Sequence, residues 1–166
     1  MKWAGDTRIR LMGCTLHVRM PGFDADSWVR RYEELRGRGK NLLPVFERFG
    51  RYLLESVDRN FAAEGRPSRW AALSPRYAAR KARQFPGKGI LEATGQMRTG
   101  FWYTASAQTV KVGNKNRWWW IVHQQGTDNL FRRGIHLPRR VILLLQAQDK
   151  AVLTRWVRAY LRTGTV

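Results

Sequence analysis

NLLPVFERFGRYLLESVDRNFAAE, residues 41–64, carries the clearest period in the chain. Leu42, Phe46, Phe49, Leu53, Val57 and Phe61 recur at spacings of three and four, which lines them along one face of a helix. Asn41 can cap its start, and Pro44 stands in the first turn, where a missing N–H is no loss. The helix is expected to reach about Glu64, and the other elements have to be placed against its apolar face.

Upstream, TRIRLMGCTLHVRM (7–20) alternates basic and apolar side chains on either side of Gly13-Cys14, the period of two strands joined by a tight turn. Pro21-Gly22 breaks that pattern. Asp24 or Asp26 can then cap a helix through WVRRYEELRGR, which Gly37 and Gly39 are expected to end. Downstream, residues 65–89 read as a loop with one short helix, opened by Ser74 as cap and Pro75 at its first position. Trp70 is the expected anchor of this excursion. ILEATGQMRTGFW (90–102) reads as a short helix or turn, and FWYTASA with QTVKVGN reads as a strand hairpin closed by Gly113-Asn114. RWWWIVHQQG (117–126) fits either a strand or a turn and a half of helix. IHLPRRVILLL (135–145) is expected to be extended around Pro138, and Val152, Leu153, Trp156, Val157, Tyr160 and Leu161 form the apolar stripe of a last helix. This order predicts an α+β fold: an antiparallel sheet packed by the long central helix and the C-terminal helix, with an N-terminal β-hairpin arm. The expected division is an arm over residues 1–40 and a single domain over 41–166.

A chain of 166 residues, 43% hydrophobic, suffices for one core and is short for two. Its 31 Lys and Arg against 12 Asp and Glu give +19, so it repels itself at neutral pH and favours a polyanion or an acidic surface. From Gly65 onward there are 19 basic residues against three acidic ones, so that part should meet an anionic partner. Cys14, the single cysteine, has no internal partner, and the cytosol is the expected compartment. MKWAGDTRIR holds no apolar leader, and WWWIV and VILLL are too short to span a bilayer, which predicts a soluble chain without membrane contact.

Catalytic patterns are missing. Cys14 and His17 have a spacing seen in zinc sites, but a structural zinc needs four ligands, and positions three apart on a strand face opposite ways. The conspicuous acids Glu33, Glu34, Glu47, Glu55 and Asp58 lie among basic residues at helical spacing, where ion pairs explain them. Ser74 lacks a nucleophile-elbow context, and neither a phosphate-cradling nor a dinucleotide-binding glycine motif occurs. The sequence therefore predicts no metal, no cofactor and no enzyme activity. A basic nucleic-acid-binding domain is the alternative reading, because eight tryptophans on a cationic background can stack bases. Trp118, Trp119 and Trp120 cannot all face one ligand, however, so at least one of these rings must be buried in the fold or in a subunit contact.

GRPSRWAALSPRYAARK (65–81), ILEATGQMRTGF (90–101), VKVGN (110–114), IVHQQG (121–126) and IHLPRRVILLLQAQD (135–149), in that order, resemble the phage virion morphogenesis family, the tail-completion and neck group of tailed phages. The resemblance covers about residues 42–162. It implies a non-enzymatic virion protein, assembled in the host cytoplasm, that oligomerises as a ring, most simply six-fold, at the tail or neck. The implied partners are tail-tube, terminator or head-tail connector proteins, with non-specific contact to genomic DNA in the channel. On this reading Trp118, Trp119, Trp120, His123, Arg139, Arg140 and Trp156 are expected at a subunit or partner interface. Arg66, Arg69, Arg76, Arg80, Lys81 and Arg83 form an expected basic patch, with Arg132 and Arg133 in a second.

Overall fold

The computed structural model describes residues 6–11, 14–19, 24–130 and 135–166. The central helix α2, Leu43–Ala62, buries Val45, Phe49, Leu53, Val57 and Phe61. These lie four apart, so the buried ridge begins at Val45, while Leu42 and Phe46 are only half-buried. Asn41 does serve the helix start, its side-chain oxygen accepting from the Leu43 N–H at 3.2 Å, although Leu42 occupies the cap position itself. After Ala62 the chain turns through Glu64 and Gly65, both at positive φ.

Helix α1, Ala25–Lys40, starts at Asp24, whose carboxylate accepts from the Asp26 N–H at 3.1 Å. It runs on through Gly37 and Gly39, where the sequence predicted an end. The reason is tertiary: Arg38 donates to the Leu161 and Arg162 carbonyls at 2.9 and 3.2 Å, tying this turn to the last helix. Glu33 and Glu34 pair with Arg36 and Arg38, and Glu55 with Arg59, at the helical spacings expected.

Among the described residues the strands form three separate two-stranded antiparallel ladders rather than one sheet, each strand pairing with its neighbour in sequence. Strands β1, Asp6–Leu11, and β2, Cys14–Arg19, pair from Asp6 opposite Arg19 to Leu11 opposite Cys14, so Cys14 belongs to a strand and not to the turn. Strands β3, Phe101–Ala105, and β4, Val110–Asn114, make the predicted hairpin, which lies on α2. Gly50 permits that approach, because a Cβ there would run into the Tyr103 ring. Strands β5, Thr127–Leu130, and β6, Ile135–Leu137, pair with an irregular register.

Between these lie α3, Pro75–Gln84, the short α4, Gln96–Thr99, and α5, Arg117–Gln125. Val57, Phe61, Trp70 and Ile142 form the central cluster, with Phe101, Trp120 and Leu143 packed against it. The segment through Ile142 has neither helix nor strand pairing, and side chains satisfy its backbone instead. Trp70 Nε1 donates to the Val141 carbonyl at 2.9 Å and Asn60 Nδ2 to the Ile142 carbonyl at 2.7 Å. Gln124 accepts from the Ile142 and Leu143 N–H groups at 2.7 and 3.1 Å and donates to the Leu143 carbonyl at 2.7 Å. The last helix, α6, Ala147–Thr163, opens on a capping box between Gln146 and Asp149 and buries Tyr160. Its Trp156 is half-buried, edge-on to Phe49 and Tyr52 at 6.5 and 5.8 Å.

Candidate functional site

RWWWIVHQQ folds as a helix, bounded by Asn116 and by Gly126 at φ 75, where the chain approaches the Arg139 backbone too closely for a side chain. Helical spacing then sorts the three indoles. Trp120 turns inward and meets Phe101 at 6.0 Å, whereas Trp118 and Trp119 are 60% and 45% exposed. Beside them opens a cleft of about 830 Å³ between the Ala72–Ser74 loop, α3, the turn before α4, α5 and the Leu137–Arg140 segment. Tyr77, Leu91, Met97, Trp119, Leu137 and Pro138 give it apolar walls. The Arg140 N–H donates to the His123 carbonyl at 2.7 Å, which fixes the far wall to α5.

His123 lies in this cleft, stacked on Trp119 with centroids 6.3 Å apart. Its Nδ1 is buried and has no hydrogen-bond partner among the described residues. Burial, and next to it the positive charge of Arg140, hold the imidazole pKa down at about 4. The unfolded chain, titrating near 6.5, therefore binds the extra proton between pH 6.5 and 4, so stability falls with pH across that window and is unaffected above it. Because the ring faces an open cleft, we expect a loss of about 1–2 kcal/mol, less than the full shift implies. Denaturant midpoints at pH 7 and 4.5 should separate more for the wild-type chain than for His123→Gln.

The model of one protein family matches residues 25–162. The chain belongs to the phage virion morphogenesis family. That match takes in α1 as well as the stretch on which the sequence resemblance rests. No curated protein and no solved structure matches the chain. Membership points to a structural or assembly role in a bacteriophage virion rather than a catalytic one. Among the described residues no helix is long and apolar enough to cross a membrane.

For a virion morphogenesis protein the placement of the basic side chains matters, and it corrects part of the expected surface. Arg140 is only 3% exposed and gives its guanidinium to the Ala71 and Ala72 carbonyls, so it braces the cleft wall rather than forming an open basic surface. Lys81 is likewise buried, donating to the Lys88 and Gly89 carbonyls, with its pKa lowered by that burial. Arg66 is half-buried on Asn60 and Ser56. A count of basic residues cannot separate such internal donors from a solvated face. Arg69, Arg76, Arg80, Arg83 and Arg139 are exposed, and Arg80 lies over the Tyr77 ring at 5.1 Å. Arg132 and Arg133 lie outside the described residues. Tyr77, Leu91, Met97 and Leu137 are cleft residues that the sequence reading did not single out, although each lies within one of the quoted motifs.

Proposed function

We propose that this virion morphogenesis protein completes the tail or forms the neck ring that joins tail to head, acting by shape and surface complementarity. Copies close into a ring, six-fold in the simplest match to a tail tube, and meet tail-tube, terminator or connector proteins. The observation that carries the reading is the pair Trp118 and Trp119, 60% and 45% exposed beside an apolar cleft in a member of this family. Large aromatic surface of this kind is what a protein interface buries at its centre. Copies carrying +19 repel one another, so an apolar contact is needed to hold neighbours, while exposed cations such as Arg139 suit an acidic partner at its rim.

Replacing both exposed indoles tests this. Trp118→Ala with Trp119→Ala should leave the monomer folded, since the exposed Trp118 contributes only about 0.5 kcal/mol and the half-covered Trp119, stacked on His123, about 1–2 kcal/mol. In particle-assembly complementation the same variant should lower the yield of joined head-tail particles at least tenfold, and native mass spectrometry should show monomer where the wild-type chain gives a ring. Normal particle yield from the double variant, or a monomeric wild-type chain in the particle, would overturn the proposal.

A further inference from the structure

On the side of the molecule formed by α1 and α6, arginines gather with few carboxylate partners. Arg155, Arg158 and Arg162 lie at spacings of three and four on α6, all exposed, and span about 10 Å along the helix axis. Arg158 and Arg162 line two shallow depressions, one on each side of this ridge. Across the first stand Arg30 and Arg31 of α1, also exposed. Among the described residues, Arg31, Arg155, Arg158 and Arg162 have no ion pair, and Arg30 has only a long contact of 3.9 Å to Asp24. Glu34, the one acid in the first depression, is held by Arg38 at 3.4 Å. The floor of the second is small: Ala151, Thr154 and Ala159.

We infer that this face binds the phosphate backbone of duplex DNA without regard to sequence. A protein partner would call for an apolar centre with aromatic anchors, and neither depression is lined by an aromatic side chain, the exposed Trp28 and Tyr32 of α1 lying outside both linings. Backbone binding needs only cations placed along a line with nothing bulky between them, which is what the α6 ridge supplies. Guanidinium groups suit the task because each can donate two parallel hydrogen bonds to one phosphate. A second copy of this chain suits this face poorly, because a surface of arginines offers little apolar contact to offset the repulsion between two chains of +19. The inference does not depend on the ring or neck assignment, and the exposed indoles of α5 are not part of it.

Fluorescence anisotropy with a labelled mixed-sequence duplex across a salt series decides it. The full chain is expected to bind in the micromolar range at about 100 mM salt. Arg155→Gln, Arg158→Gln and Arg162→Gln together should weaken binding at least tenfold and lower the salt slope by about two to three, because each lost phosphate contact removes about 0.9. Arg30→Gln with Arg31→Gln should lower it by one to two. Arg76→Gln, Arg80→Gln and Arg83→Gln on α3 remove the same charge elsewhere and should change the slope by less than one. Equal losses in the α3 and α6 variants would overturn the inference, showing attraction to overall charge only. So would polyglutamate binding that depends on the α6 arginines without any duplex binding, which would assign the face to an acidic protein. Thermal unfolding of the variants near the wild-type midpoint keeps the comparison to surface chemistry.

Discussion

Trp70→Ala is expected to remove about 3–5 kcal/mol of folding stability, a large part of the 5–15 kcal/mol typical of a domain. Three losses coincide at this position. The indole is 7% exposed and stands edge-on to Phe61 at 5.4 Å, so truncation empties a ring-sized space in the central cluster. Its Nε1 donor to the Val141 carbonyl disappears, leaving that acceptor without its indole partner. The Gly65 turn, packed against the Trp70 ring and backbone, loses its stop. Trp70→Phe keeps most of the apolar volume and removes only the donor, so about 1–2 kcal/mol is expected. Urea denaturation should rank wild type above Trp70→Phe above Trp70→Ala. Trp118→Ala, by contrast, should denature almost as the wild type does, because that ring is 60% exposed. Residue type is the same and the environment opposite, so the pair separates indoles that hold the fold from an indole offered outward.

That contrast also marks how far the sequence could be read. The period of α2, the β3–β4 hairpin and the anchoring role of Trp70 were legible because each rests on local spacing or on one bulky apolar residue in a polar stretch. The same spacing argument required one of the three consecutive indoles to be buried, and Trp120 is the one that packs inward. Whether they formed helix or strand was not legible, since nine residues carry too little period. Gly37 and Gly39 looked like a stop because their partner, the end of α6, lies more than a hundred residues away. Arg140 and Lys81 looked like surface charge because nothing local announces the carbonyls that occupy them. A single sheet was expected from several strand patterns, yet each described strand pairs only with its sequence neighbour, and the β3–β4 hairpin takes its cover from α2. For Gly37, Gly39 and Arg140 the deciding partner is remote in sequence.

Asp149→Ala should cost about 2–4 kcal/mol, an unusual figure for an acidic residue in a chain so rich in bases. Asp149 is fully buried and its carboxylate accepts from two donors, the Tyr52 hydroxyl at 2.7 Å and the Gln146 N–H at 2.8 Å. The second bond closes the capping box of α6, worth about 1 kcal/mol where it has been removed from other helices. The first joins α6 to α2 beneath Trp156, so truncation strands a tyrosine hydroxyl at the helix junction as well. A negative charge in the first turn of a helix is also favoured by the backbone dipole, and alanine forfeits that. Asp149→Asn retains one acceptor and the shape, and should lie between the two. Tyr52→Phe should cost about 1 kcal/mol, and the double variant less than the sum, because both substitutions remove the same bond. A spectroscopic readout separates this account from simple helix fraying. The hydrogen bond to Asp149, and after it burial, raises the Tyr52 pKa above the usual 10. Alkaline absorbance titration should therefore show late ionisation of Tyr52 in the wild-type chain. In Asp149→Asn that tyrosine should ionise earlier, with α6 still folded by circular dichroism. A titration unchanged by the substitution would mean that Asp149 serves the helix start alone and does not lock α6 onto α2.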